Sequence, residues 1–224
     1  MQRAPAPRSV TISVSAMTTE RIPLFPLTVV LLPGMTLPLH IFEQRYKRMM
    51  RTVIDDEVPF GVVLARDNGI ATVGCTAVVR RVARTYPDGR MDLITLGESA
   101  YRVCAVHKDK EYLEATVDLM ADDFQPGSPT TAAELLTLFT DCHLLLHGSP
   151  PGDIDIDDQT DGFLAYRIAS ELPLELETLQ ELLEMRVEAE RRLKLISRLN
   201  QLLPQLIQIQ QIRSKSATNS HGPN

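Results

Sequence analysis

An apolar stretch near the start of the chain, IPLFPLTVVLLPGMTLPLHIFEQRY at residues 22–46, is cut into short pieces by prolines and a glycine. These pieces are too short to cross a bilayer as one helix, whereas proline is tolerated at the edges of extended segments. The pattern therefore predicts short extended segments at residues 22–25, 29–32 and 35–39.

The hydrophobic period changes at residues 42–56, FEQRYKRMMRTVIDD, where apolar side chains recur at steps of three and four residues. This spacing places them on one face of an amphipathic helix, with charged residues on the other faces. The side chains predicted to enter the core are Phe42, Tyr46, Met49, Met50 and Val53. We expect Leu32, from the preceding segment, to share this core.

Residues 58–120 have the pattern of successive strands. Apolar and β-branched runs alternate with turn residues, and the Asp-Gly pair in PDGR at residues 87–90 is typical of a hairpin. Two further strands are predicted on either side of residues 108–110. Short strands joined by turns, with one early helix, predict a closed or nearly closed barrel.

Beyond Asp122 the pattern becomes helical. Helices are predicted at residues 131–148, at 163–172 and, as one long helix, at 178–203, with an acidic linker at 149–162. Pro204 is expected to end or kink the long helix, because proline removes a helical hydrogen bond. The apolar stripe of that helix consists of Leu179, Leu182, Leu183, Leu193, Ile196, Leu199 and Leu203.

These patterns give an α+β fold class. The predicted parts are a disordered tail (1–20), a β pseudobarrel with one early helix (21–122), a helical subdomain (123–213) and a second disordered tail (214–224). The tails are predicted from their small and polar residues. Met1 and Met17 are both candidates for the natural start of the protein.

Composition and charge narrow the function classes. Hydrophobic residues make up 44% of the 224-residue chain, as in ordinary globular proteins. The formal charge of -6 disfavours a nucleic-acid partner, because phosphate binding needs a basic surplus. Cys75, Cys104 and Cys142 are widely separated and odd in number, which suits reduced thiols. With no signal peptide or membrane span predicted, we expect a cytoplasmic protein with no membrane partner.

Two patterns resemble metal sites but fail their requirements. His143 and His147 are four residues apart on a predicted helix, but Leu144 stands where an H-E-x-x-H site has glutamate. In DIDIDDQTDG, at residues 153–162, Asp158 occupies the glycine position of a calcium loop, and Leu164 the position of its bidentate glutamate. We therefore predict no metal and no cofactor.

The junction between extended segment and helix, LPLHIFEQRY, holds the candidate site. His40 and Glu43 lie across this boundary, which does not ensure that an acid–base pair converges. The favoured interpretation is structural, with Phe42 and Tyr46 in the core while Glu43 and Arg45 anchor the junction. In the alternative, these four residues line a binding groove. No catalytic residue is predicted.

With the elements in this order, the chain resembles the N-terminal, substrate-binding domain of Lon proteases in its free-standing bacterial form. The first motif, PLFPLTVVLLPGMTLPLHIFEQRY at residues 23–46, is long and specific. The shorter matches are FGVV (60–63), VGCTA (73–77), DGR (88–90), Gly97, YRV (101–103) and LQELLEMRVEAERRLKLISRLNQLL (179–203). The resemblance implies a PUA-like β pseudobarrel followed by a C-terminal helical bundle.

The resemblance also implies a role in substrate selection. The sequence contains no G-x-x-x-x-G-K-[ST] phosphate loop and no serine in the setting of a Lon active site. It has no tryptophan, and so lacks the aromatic cage of the eukaryotic relative cereblon. We expect a non-enzymatic module that binds unfolded or exposed apolar protein segments, by β-augmentation or in a groove, with a protease as a further partner. The alternatives are an RNA-associated PUA-like protein and an enzyme with an unrecognised site.

Overall fold

The computed structural model describes residues 19–123, 128–152 and 161–219. Most of the predicted N-terminal tail, residues 153–160 of the acidic linker and residues 220–224 of the predicted C-terminal tail lie outside the described residues. The first strand begins at Thr19, two residues before the predicted start of the barrel.

In the described part of the chain, six strands form one sheet that closes on itself. They are β1 (Thr19–Leu27), β2 (Thr36–Ile41), β3 (Phe60–Arg66), β4 (Gly69–Thr85), β5 (Met91–His107) and β6 (Leu113–Leu119). Five of them form a ring in the order β1–β3–β4–β5–β6, and β6 returns to β1. β1 and β3 are parallel, and all the other pairs are antiparallel. The predicted pseudobarrel is confirmed.

Strands β4 and β5 belong to two parts of the sheet, because each is 17 residues long. One half of each lies in the ring, and the other half forms a three-stranded extension with β2. Register shifts after Cys75, Val79 and Val82 show where β4 bulges. Bulges bend and twist a strand, which lets a long strand follow the ring and then leave it.

The barrel interior is packed around Tyr101, which is fully buried. Its hydroxyl donates to the carbonyl oxygen of Val62 over 3.1 Å, so that the buried polar atom is satisfied. A Cβ atom built at Gly74 would lie 2.4 Å from the Tyr101 hydroxyl oxygen and 2.5 Å from that carbonyl oxygen. The absence of a side chain at Gly74 therefore leaves the space that the Tyr101 side chain occupies.

Residues 28–35 form a loop, so the strand predicted at residues 29–32 is wrong. Residues 30–33 of this loop are nevertheless buried, and the predicted core position of Leu32 is confirmed. The Gly97 N–H donates to the Met35 carbonyl, and the Gly34 N–H donates to the Gly97 carbonyl, each over 2.9 Å. A Cβ at Gly97 would lie 2.3 Å from the Leu32 carbonyl oxygen. An apolar run signals burial, but it does not by itself specify strand pairing.

Helix α1 (Gln44–Asp55) packs on the barrel through the predicted face. Tyr46, Met49, Met50 and Val53 are buried, as expected from their spacing. The Lys47 ammonium donates to the Asp88 carbonyl oxygen over 2.9 Å and ties the helix to the turn between β4 and β5.

The helical part follows the barrel, which completes the predicted α+β architecture. Its elements are α2 (Pro129–His147), a 3-10 turn (Asp161–Phe163), α3 (Leu164–Ser170), α4 (Leu176–Glu184) and α5 (Glu188–Asn219). Helices α2 and α3 pack on α5, and α4 lies against β4. The Gln180 side-chain amide donates to the Val73 carbonyl oxygen over 3.0 Å, which joins α4 directly to the barrel.

The single long helix predicted at residues 178–203 is wrong, because the chain leaves the helical conformation at residues 185–187. The break changes the phase of the apolar stripe, so that Leu195 is buried whereas Leu193 is 59% exposed. Pro204 does not end α5, which continues to Asn219. The backbone after residue 213 is thus helical as far as Asn219, inside the predicted tail.

A network centred on Arg191 joins the end of the barrel to the helices. The Arg191 guanidinium is fully buried and donates to the carboxylates of Asp122, which follows β6, and Glu188, in α5. It also donates to the backbone carbonyls of Met185 and Gly162, over 2.9 and 3.0 Å.

Both carboxylate oxygens of Glu188, one of the two anions of the Arg191 network, accept hydrogen bonds. Its carboxylate accepts from Arg191, from Arg192 and from the Ala165 N–H at the start of α3. The Arg191 guanidinium also stacks 4.2 Å from the ring centroid of Tyr166. Buried charges are tolerated only when they are paired and hydrogen-bonded in this way.

The substitution Gly74→Ala tests the barrel interior. We expect it to lower the free energy of unfolding by about 1–3 kcal/mol, because the added methyl group meets Tyr101 and a backbone carbonyl. Urea denaturation followed by circular dichroism measures the change. Gly152→Ala is the matched control, since a Cβ there meets nothing within 4 Å. Equal unfolding midpoints for the two variants would contradict the proposed packing.

Candidate functional site

A surface groove lies where β2 leads into α1. It has a volume of about 350 Å³. Its lining is Phe25, Pro26, Leu27, Pro38, Leu39, His40, Ile41, Phe42, Glu43, Arg45 and Tyr46. All four residues of the predicted candidate site are therefore brought together in one groove.

Unpaired strand edges border this groove. Among the residues that the structure describes, β2 pairs with β5 on one side and with no strand on the other. β6 pairs with β1 only as far as residue 24, so residues 25–27 pair with β3 alone. An unpaired edge presents N–H and C=O groups to which an extended chain can bind.

The floor of the groove is aromatic and rigid. The Phe25 ring lies 4.3 Å from that of Tyr46 and 6.4 Å from that of Phe60, measured between centroids. All three side chains belong to the buried core. Burial raises the pKa of the Tyr46 hydroxyl, so this group stays neutral in the groove.

Glu43 and Arg45 lie at the junction and pair with each other, and the anchoring role expected of them stays a prediction. Glu43 stands at the N-cap position of α1, but its side chain makes no capping hydrogen bond. Its carboxylate instead accepts from Arg45 over 2.8 Å, in an exposed ion pair. The Arg45 guanidinium lies 4.5 Å from the Tyr46 ring centroid and covers the ring.

Phe42 is not a core residue, which corrects the sequence prediction. Its side chain is 61% exposed. The helical spacing placed it with Tyr46, but α1 begins only at Gln44. Side chains alternate along β2, and Leu39 and Ile41 take the core side, so Phe42 points to solvent. The Phe42 ring is therefore available at the surface beside the groove.

Side chains from three strands extend this surface. His40 stacks on Phe42 with ring centroids 6.1 Å apart and meets the edge of Tyr86 at 6.0 Å. Both carboxylate oxygens of Asp92 are used, one by His40 Nδ1 over 2.6 Å and one by the Tyr86 hydroxyl over 2.8 Å. The Arg84 guanidinium lies 4.5 Å from the Tyr86 ring centroid.

Sequence reasoning missed Tyr86, Arg84 and Asp92 as part of this surface. The alternation of β2 was enough to place His40 beside Phe42 on the outer face. By contrast, Asp92 and Arg84 reach His40 only through the register of β2, β5 and β4, which periodicity does not reveal.

The histidine pattern on α2 is a surface contact. The rings of His143 and His147 are 4.4 Å apart, and His143 Nδ1 lies 2.8 Å from the Ser149 carbonyl oxygen. Within residues 19–123, 128–152 and 161–219, no three His, Cys, Asp or Glu side chains are grouped as metal ligands. Most of the acidic stretch considered as a calcium loop lies outside the described residues.

The cysteines form no disulfide, and two of them are buried. Burial raises the pKa of the Cys142 thiol to about 11 and that of Cys75 still further. Neither thiol is ionised near neutral pH, and the thiolate is the nucleophilic form. These two cysteines are packing residues.

Comparisons with known proteins identify the family. Residues 21–201 match the family model of the ATP-dependent protease La (LON) substrate-binding domain. The chain belongs to this family, and the predicted resemblance is confirmed.

Two Lon proteases are similar to this chain in sequence. That of Cytophaga hutchinsonii is 26% identical over 216 compared residues, and the match covers 89% of this chain and 26% of the relative. That of Lawsonia intracellularis is 29% identical over 180 compared residues, and the match covers 73% of this chain and 21% of the relative. The chain thus spans about a quarter of the length of these relatives.

Solved structures agree with the fold. The crystal structure of a Lon N-terminal domain protein from Xanthomonas campestris has a TM-score of 0.63 and 26% identity, covering 80% of this chain and 98% of that one. The N-terminal domain of Mycobacterium avium complex Lon protease has a TM-score of 0.57, covers 81% and 98%, and at 14% identity shows the fold alone. In the described residues, no helix has the length and apolar character needed to cross a membrane.

The exposure of Phe42 is tested by comparing it with a buried aromatic. We expect Phe42→Ala to leave the free energy of unfolding within about 0.5 kcal/mol of the wild type, because the ring contributes little to the core. Phe60→Ala, which empties a fully buried site, is expected to cost about 3–5 kcal/mol. Denaturant midpoints and slopes measure both. A loss of several kcal/mol for Phe42→Ala would place this side chain back in the core.

The Asp92 contacts predict a pH effect. The hydrogen bond from His40 and, next, that from Tyr86 hold the pKa of the Asp92 carboxyl below its ordinary value. A carboxyl with a lowered folded-state pKa stabilises the fold above its unfolded pKa, and this contribution is lost as the pH falls through the folded value. We expect Tyr86→Phe to move the Asp92 pKa upward, as followed by NMR titration of the side-chain carboxyl. An unchanged Asp92 titration would show that the Tyr86 contact is absent in solution.

Proposed function

We propose that this chain is a non-catalytic protein-binding module that takes extended, apolar segments of other proteins into the groove beside β2. The observation that carries the proposal is the exposed Phe42, which stands over an aromatic floor between unpaired strand edges. Phe42, Glu43, Arg45 and Tyr46 are the residues assigned to the site.

Backbone pairing supplies affinity without demanding a particular client sequence. An extended segment beside β2 satisfies the edge N–H and C=O groups, and this mode of binding is insensitive to side chains. Pro38 lies in β2 and has no N–H to offer, so side-chain contacts must complete the interaction. Phe42 and the groove floor provide them by burying apolar side chains of the client.

The family supports the same role. The matched family is described as a substrate-binding domain, and the related chains are Lon proteases. The proposed clients are unfolded proteins or exposed apolar segments, the proposed compartment is the cytoplasm, and the proposed further partner is a protease that receives the client. The groove has the shape for holding a segment, and no hydrolytic step is assigned to it.

Binding of an unfolded client tests the proposal. We expect the chain to bind a reduced and alkylated, permanently unfolded protein, detected by fluorescence anisotropy of the labelled client. Phe42→Ser should weaken this binding about tenfold, the equivalent of about 1.4 kcal/mol, because it removes the exposed anchor. Leu144→Ser is the control, since Leu144 is 46% exposed and lies on α2, outside the groove lining.

Two results would contradict the proposal. Equal loss of binding in the Phe42 and Leu144 variants would mean that any exposed apolar side chain can bind the client, and that the groove is not the binding site. ATP hydrolysis or client cleavage that stays with the protein through repurification would show that the chain is an enzyme.

A further inference from the structure

The outer face of the β2–β5–β4 extension carries a row of aromatic and cationic side chains. In the strand register, His40, Asp92 and Arg84 stand side by side across the three strands. The next step along the strands aligns Pro38, Ile94 and Arg81 on the same face. We call Phe42, His40, Tyr86 and Arg84 the aromatic–arginine row.

Asp92 is the acidic residue within this face, and its carboxylate already accepts hydrogen bonds from neighbouring side chains. Asp92 accepts from His40 on one oxygen and from Tyr86 on the other. Asp88, at the adjacent turn, accepts from Arg90 over 2.7 Å. In the described part of the chain, the Arg81 and Arg84 side chains make no hydrogen bond and no ion pair within 4 Å, although Arg84 stands directly across from Asp92 and helps to lower the pKa of its carboxyl electrostatically.

Stacking on the Tyr86 ring orients the Arg84 guanidinium. The Arg84 and Arg90 guanidiniums lie 4.5 and 4.9 Å from the Tyr86 ring centroid. Contact with an aromatic ring fixes the plane of a guanidinium but uses none of its N–H donors. The free donors of Arg84 therefore retain the fork geometry that binds a carboxylate through two hydrogen bonds.

The local charge is opposite to that of the whole chain. The formal net charge is -6, yet residues 78–85 contain Arg80, Arg81 and Arg84 and no acidic residue. All three arginines are exposed. A patch of this kind is complementary to acidic groups and repels basic ones.

We propose that the aromatic–arginine row binds acidic side chains of the client segment, next to the apolar side chain that covers Phe42. This inference rests on the proposed function, and it adds a preference for clients in which aspartate or glutamate lies near an apolar anchor. The row thus makes the module selective, whereas the groove alone accepts any apolar segment.

The spacing of the row fits an extended peptide. Successive contacts from Phe42 to His40, Tyr86 and Arg84 are 6.1, 6.0 and 4.5 Å long. Side chains on one face of an extended chain repeat at about 7 Å. A segment anchored at Phe42 therefore presents a carboxylate to Arg84 within a few residues. A nucleic acid is less well matched, because a chain with a surplus of acidic residues repels a continuous phosphate backbone.

Two labelled peptides that differ only in charge test the inference on the full chain. Both contain the same phenylalanine and leucine core, flanked by aspartates in one and by asparagines in the other. We expect the aspartate peptide to bind about tenfold more tightly at low salt, with a preference that shrinks as salt is added. The double substitution Arg81→Gln and Arg84→Gln should abolish the preference while preserving binding of the asparagine peptide.

Arg66→Gln is the matched control. Arg66 is also exposed, but it ends β3 and pairs with Gly69, at the opposite end of β4 from Arg84. We expect this variant to keep the full preference for the aspartate peptide. Loss of the preference in Arg66→Gln as well would indicate a general charge effect and overturn the inference.

The remaining outcomes separate the two proposals. Equal binding of both peptides to the wild type would overturn the acidic preference and leave the proposed function standing. Failure of both peptides to bind would overturn both. If a labelled oligouridylate bound in an Arg84-dependent way and displaced the aspartate peptide, the row would be a nucleic-acid site, and the inference would be wrong.

Discussion

A buried guanidinium must have its donors satisfied, and Arg191 meets this condition only when several distant segments stand together. Its partners come from the end of the barrel at Asp122, from the turn before α3 at Gly162, from the helix break at Met185 and from α5 itself at Glu188. Removing the carboxylate of Asp122 or of Glu188 would leave the buried guanidinium with one anionic partner fewer, which costs more than the loss of a surface pair. Arg191 therefore links the end of the barrel to the helices.

Most of the fold could be predicted from the sequence because its signals are local. Several of these signals depend only on a few adjacent residues. They are the Asp-Gly turn, the spacing of Met49, Met50 and Val53, and the end of α2 before Gly148. The predictions were wrong where long-range packing determines the local backbone structure. Residues 29–32 belong to a loop that is tied to the sheet by backbone hydrogen bonds of Gly34 and Met35 with Gly97, not by strand pairing. The break between α4 and α5 allows Met185 and Arg186 to contact residues around Asp122, which no helical period can show.

Phe42, Glu43, Arg45 and Tyr46 line one groove; their binding role stays a prediction, and the core position expected for Phe42 was wrong. Tyr46 is buried, as its residue type suggests, whereas Glu43 and Arg45 form an exposed ion pair. Phe42 was assigned to the core from the helical spacing that it shares with Tyr46, whereas its exposure follows from the phase of β2, because α1 begins only at Gln44. Arg84 on β4 could not be assigned to this surface from the sequence, because only the strand register places it in line with Asp92 and His40.

The exposure of Phe42 and Arg84 has a consequence for the history of the family. Both side chains are exposed, so we expect substitution at either position to have little effect on stability. Under the proposed function, the choice of client can therefore change by mutation while the packing of Tyr101, Gly74 and Arg191 is preserved.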